Sequence, residues 1–186
     1  MITLPQNWNT VKAEDGSFKS LEAGVYKLVI KQASVRQSKK GQEMLVVCFD
    51  IVGGDFDGYI MDLYAKRHEE ATKKGEQAKY PNQGIWYQLT QGDFLPRFKH
   101  FVNCVEESNP GYTFSGDETT LKDKVFAGIF REEEYESSRD GSIKTTVRCD
   151  RIIPVSKMDT AKVPPCKKLK TTTAQSNAIA DEEIPF

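Results

Sequence analysis

The sequence predicts a mainly β domain with one amphipathic helix and a long polar tail. Three features carry that expectation. Short runs of period-two hydrophobicity are separated by turns rich in Gly and Asp. One segment, starting at Asp93, switches to helical spacing. From Ser156 onward apolar periodicity stops.

Residues 1–20 are polar and predict a loosely attached arm, with Trp8 and Phe18 as its anchors. Gly24 to Val35 predicts a strand, because Tyr26, Leu28 and Ile30 alternate with Lys27, Val29 and Lys31. Arg36 to Gly41 is a polar hairpin connection. Met44 to Val52 is apolar at successive positions, so both faces are buried and the strand sits inside the sheet. Gly53 to Gly58 is a turn, and Tyr59 to Ala65 predicts a third strand. Lys66 to Gly84, rich in Lys, Glu, Gln and Gly, fits a short exposed helix or a long loop. Ile85 to Leu89 is a short strand. Phe94, Leu95, Phe98, Phe101, Val102 and Val105 then define a helix with Asp93 as N-cap and Pro96 in its first turn, ended by Asn109-Pro110-Gly111. Val125 to Arg131 and Ile143 to Val155 are strands, joined through an acidic hairpin tip, Glu132 to Gly141.

Five or six strands with one helix between strands three and four is the order of an OB-fold-like five-stranded Greek-key barrel. Another small β-rich α+β domain has the same pattern. The expected organisation is a domain over 1–155 and a disordered linker over 156–186 that ends in an acidic tip.

Composition narrows the function classes. There are 26 basic and 27 acidic side chains, a net charge of −1. Leaving out Asp181, Glu182 and Glu183 gives 26 against 24, or +2, for residues 1–180. No run approaches a membrane span, and Met1 to Pro5 lacks the pattern of a signal peptide. Cys48, Cys104, Cys149 and Cys166 are widely spaced, which fits a reducing cytoplasm and neither a disulfide framework nor a zinc site with His68 and His100. Phosphate-cradling and dinucleotide-binding glycine motifs are absent, and neither histidine has a nucleophile partner in sequence. A binding protein is expected, not an enzyme, with no cofactor or metal.

The most specific signal is Asp181-Glu182-Glu183-Ile184-Pro185-Phe186. Three carboxylates precede an aromatic residue, and Pro185 biases Ile184 toward an extended shape. A partner needs an apolar slot beside Arg or Lys to take it. This segment resembles the acidic tip of bacterial single-stranded DNA-binding proteins. Leu21 to Tyr26, Gln37 to Gly41, Met44 to Val47, Phe49 to Ile51 and Phe56 to Tyr59 are similar to the strand-and-turn pattern of phage-encoded single-stranded DNA-binding proteins. The bacterial housekeeping strand patterns are not present, so tetramer formation is not carried over, and a homodimer stays open.

The resemblance implies coating and protection of single-stranded DNA in replication, recombination and repair. It also implies docking of polymerase, helicase, nuclease or recombinase partners at the tip, in the cytoplasm (the host's, for a phage protein). Single-strand binders combine a basic groove with aromatic faces. The basic candidates are Lys27, Lys31, Arg36, Lys39, Lys40, Lys66, Arg67, Lys73, Lys74 and Lys79. Tyr80 and Trp86 flank a polar Pro-Asn-Gln-Gly turn and are the stacking candidates, with core packing as the competing reading. Tyr59, Tyr64 and Tyr87 lie near the same basic segments. Two other functions would carry the same tip: a strand-annealing recombination factor, and an adaptor that imitates the tip without binding DNA.

Overall fold

The computed structural model describes residues 19–169. Five strands form one antiparallel sheet: β1 (Gly24–Gln37), β2 (Glu43–Ile51), β3 (Ile85–Leu89), β4 (Val125–Glu136) and β5 (Ile143–Ile153). Their spatial order is β3-β2-β1-β4-β5. Two helices, α1 (Tyr59–Lys74) and α2 (Leu95–Ser108), lie between β2 and β3 and between β3 and β4.

One face of the sheet closes on the main core. Leu28 and Ile30 of β1, Leu45, Val47, Phe49 and Ile51 of β2, and Phe126 and Phe130 of β4 point there, and α2 covers them with Phe101, Cys104 and Val105. Phe49 meets Phe126 and Phe130 edge-on, at 5.9 and 6.1 Å between centroids. Val46 and Cys48, on the opposite face of β2, join Ile60, Tyr80 and Ile85 in a second cluster. Both faces of β2 are therefore buried, as its continuous hydrophobicity predicts. Gly84 sits where these layers pinch, since a Cβ there would lie 2.3 Å from Ile60 Cγ2 and 3.0 Å from the Phe49 carbonyl oxygen.

Five expectations need correction. Residues 59–65 are helix, not strand. Ile60, Leu63 and Tyr64 share a helical face, and the signal that starts the helix is remote in sequence. The Asp50 carboxylate, at the end of β2, accepts hydrogen bonds from the N–H groups of Ile60 (3.0 Å) and Met61 (3.3 Å), which have no intrahelical acceptor. The helix stops at Gly75, whose φ of 69° continues no right-handed turn. At α2, Asp93 is not the cap: it lies in a 3-10 turn, and Phe94 precedes the helix without a side-chain cap, while Pro96 does occupy the first turn. β4 runs on to Glu136, so Glu132 to Glu134 are strand residues and not part of the hairpin tip.

The fourth correction concerns closure. The sheet is open, with β3 and β5 as its edges. Side chains reach the β5 carbonyls on the side that faces β3. Gln83 Nε2 donates to the Val147 carbonyl at 3.2 Å, and His100 Nε2 lies 3.0 Å from that of Ile152. With these acceptors occupied and α2 wedged beneath, β3 and β5 form no ladder.

Past β5 the chain stays ordered beyond Ser156, where composition predicts linker. A 3-10 turn, Val155–Thr160, packs on α2, β1 and β4. The following strand-like segment pairs beside β4: Lys167 N–H donates to the Glu132 carbonyl (2.8 Å) and Glu134 N–H to that of Lys167 (2.9 Å). The physical reason is edge pairing. β1 starts opposite Phe130, which leaves the continuation of β4 with unmet backbone groups.

Candidate nucleic-acid interface

The β1, β2 and β3 registers define rows across the face opposite the main core. Gln32, Cys48 and Ile85 form one row; Ser34, Val46 and Tyr87 the next; Arg36, Met44 and Leu89 the third. A bulge at Lys31 sets this phase, because Ile30 pairs with Phe49 and Gln32 with Cys48. Helix α1 covers the first row through Ile60 and Tyr64, with Tyr80 packed at 5.3 Å from Tyr64. The third row is left uncovered by the helix. Tyr87 is 43 % exposed, and Arg36, Met44 and Leu89 are half-buried. Lys39 and Lys40 stand in the tight turn that closes the same end, where Gly41 adopts φ 72°.

Several predicted site residues are brought together here. Arg36, Lys39 and Lys40 gather around the open row. Lys66, Arg67, Lys73 and Lys74 are exposed on α1, whose packed face lies on the same side of the sheet; Lys73 is paired with Glu69 at 2.7 Å. Lys27 lies on this side too, but opposite Ala127 on the β4 half of β1, and Lys31 occupies the bulge. Lys79 is half-buried in the loop before β3.

The two stacking candidates do not occupy the interface as expected. Tyr80 is 7 % exposed and its hydroxyl donates to the Phe49 carbonyl at 2.9 Å, so it is a core residue. Burial also pushes its phenol pKa well up. Trp86 pairs with Val47 and packs against the main core. Tyr87 presents the accessible ring instead. Adjacent strand residues face opposite sides, so choosing between 86 and 87 requires the phase of β3, and both sides of this strand are flanked by apolar clusters. Trp8, Phe18 and the tip Asp181, Glu182, Glu183, Ile184, Pro185 and Phe186 lie outside the described residues.

The open seam between β3 and β5 holds a cleft of about 720 Å³. Trp86 and Tyr87 of β3, Phe94 before α2, Arg97 and His100 of α2, Arg131 of β4, and Asp150 and Arg151 of β5 line it. Arg131 Nη2 is 2.7 Å from Asp150 Oδ1, and Arg151 Nε is 3.2 Å from Asp150 Oδ2. None of these arginines is a sequence candidate. In isolation each is an ordinary polar position of a strand or helix, and only the fold places them in one cleft.

Among the described residues no three His, Cys, Asp or Glu groups form a cluster able to hold a metal ion. Burial pushes the Cys48 thiol up to about 12 and the Cys104 thiol to about 11, which leaves both protonated and weakly nucleophilic at neutral pH. No helix among the described residues is long and apolar enough to cross a membrane.

No curated protein matches the chain. Residues 7–91 match a family model described as a protein of unknown function (DUF669). The match covers a little under half the chain: it includes β1, β2, α1 and β3, and with them the open row, and it stops before α2 and β5.

Proposed function

We propose that the protein binds single-stranded DNA without sequence preference and recruits replication or recombination proteins through Asp181–Phe186. The observation that carries this reading is the open row. An exposed tyrosine ring lies on β3, one row from Arg36 across the same sheet face, and Lys39 and Lys40 stand in the turn at that end, so the face offers both the stacking platform and the phosphate-binding charge that a single strand requires.

The architecture supports the same reading. The order β3-β2-β1-β4, with β4 returning beside β1 after a long connection, is compatible with a Greek key. β5 then pairs with β4, and Gln83 beside Val147 with Leu89 and Ile153 at the same cleft sets β3 and β5 in one direction. An open five-stranded antiparallel sheet in this order is compatible with an OB-fold arrangement, a frequent support for oligonucleotides. The departure is α1, which replaces a hairpin between β2 and β3 and covers half of the outer face.

Titration of labelled oligo-dT against a duplex control tests the function. Binding that favours the single strand is expected, with log affinity falling by about 0.7 per log unit of salt for each phosphate neutralised. A salt-independent affinity, or equal affinity for duplex, overturns it. Deleting Asp181–Phe186 is expected to abolish capture of partner proteins while DNA binding persists.

A further inference from the structure

The open row does not account for the cleft at the β3–β5 seam. Three arginines, Arg97, Arg131 and Arg151, line it with one carboxylate, Asp150. That carboxylate bridges two of them, so it fixes their position without cancelling the excess charge. Aromatic rings of Trp86, Tyr87 and Phe94 line the same space. The volume, about 720 Å³, lies within the range of small-molecule sites. Cationic and aromatic, the cleft is complementary to an anion attached to a flat ring.

We infer that the seam cleft is a nucleotide pocket: it takes one nucleoside monophosphate unit, with the phosphate on Arg97 and Arg151 and the base among the aromatic rings. Taken as part of a bound strand, this rests on the single-strand reading above. Tyr87 borders both the open row and the seam, so a strand crossing the row would reach the pocket at its β3 edge. A free nucleotide offers the same chemistry, and the experiment separates the two sources.

The test uses the full chain with Trp8→Phe, which leaves Trp86 as the single indole of the two in the sequence. Thymidine 5′-monophosphate, thymidine and oligo-dT are titrated while Trp86 emission is followed. The expected result is a saturable change with the monophosphate, a much weaker one with thymidine, and a response to oligo-dT. Arg97→Ala and Arg151→Ala should each weaken the monophosphate response roughly tenfold, the loss of one charge-assisted contact. Both side chains are exposed, so folding is not at stake. If oligo-dT binds and responds to Arg36→Ala, but neither Trp86 emission nor the two arginine variants respond, the pocket is overturned and the single-strand reading stands. If the monophosphate binds and oligo-dT does not, the pocket stands as a free-nucleotide site and the single-strand reading falls. Saturation by the hexapeptide Asp181–Phe186, with no response to nucleotide, would overturn the pocket in favour of a peptide site.

Discussion

The two halves of the outer face of β2 share a strand and a register, yet one is core and the other is surface. At the Cys48 end, α1 and Tyr80 cover the sheet, and the tyrosine hydroxyl is spent on the Phe49 carbonyl. At the Met44 end no helix reaches, and Tyr87 is 43 % exposed one row from Arg36. The two tyrosines are seven positions apart in the chain and comparable in sequence context. What separates them is the reach of one helix, whose start is fixed by a carboxylate on β2. The difference teaches that an aromatic near basic residues gains a binding role only where tertiary cover ends.

The largest effect should come from the covered half. Tyr80→Ala removes a buried ring wedged against Ile60, Tyr64 and Ile85, and should cost about 3–5 kcal/mol in unfolding free energy. Tyr80→Phe should cost only about 1 kcal/mol, for the hydroxyl alone. The denaturation midpoint checks both. DNA affinity of the folded fraction should not move, and a loss of affinity at unchanged stability would merge the two halves into one site. Tyr87→Ala should do the reverse. It should lose about 1–3 kcal/mol of oligo-dT affinity, with stability within about 0.5 kcal/mol of the parent. A drop in melting temperature with intact binding would place Tyr87 in the core.

A third prediction concerns the carboxylate that sets the boundary. Asp50 is 3 % exposed, and its Oδ1 accepts from Ile51, Ile60 and Met61. Burial raises its pKa, against the opposing pull of the three N–H groups and Lys31. A carboxyl whose folded pKa lies above its unfolded one binds its proton more tightly in the native state. Its stability contribution is therefore full below the unfolded value, near about 4, and is lost as pH rises through the folded value. Asp50→Asn keeps an acceptor and has no charge to bury. Its melting temperature relative to the parent should climb from about pH 4 toward neutrality. A pH-independent difference would show that burial does not govern this group.

Much of the fold is legible in the sequence, and the misses share one cause. β1, β2, β3, α2, β4 and β5 announce themselves because one or both of their faces pack at a regular period. Tyr59 to Ala65 misleads because its start signal is Asp50, nine residues upstream of Tyr59, while the local residues form a short apolar run, broken only by Asp62, that imitates a strand. The basic turn at Lys39 and Lys40 is a local feature and is found locally. Arg97, Arg131 and Arg151 come from three separate elements, and their shared cleft exists only because β3 and β5 approach without pairing. The sequence favours Trp86 over Tyr87 as the accessible ring and the exposure is the reverse, because the phase of a five-residue strand is set by its neighbours.

The smallest effect is expected at the chain's return to β4. Lys167 pairs with Glu133, and Lys168 Nζ lies 2.6 Å from Glu134 Oε1. The Leu169 N–H donates to Glu134 Oε2 at 3.1 Å. The carboxyl of Glu134 is held below its usual range, first by Lys168 and then by that N–H, and the Lys168 ammonium is raised in return. These groups are exposed, and exposed ion pairs add little to global stability. Their consequence is local. The segment has no helix or core side chain to hold it, so its two backbone hydrogen bonds to Glu132 and Glu134 depend on the charges beside them. Charge reversal at Lys167 and Lys168 should speed hydrogen exchange at the Lys167 and Glu134 amides, and 0.5 M salt should do the same to the parent by screening. The melting temperature should hardly change in either case. Restoring complementarity with Glu133→Lys and Glu134→Lys in the reversed variant should recover protection. If protection survives reversal, the backbone pairing alone holds the segment, and the lysines are solvated charges.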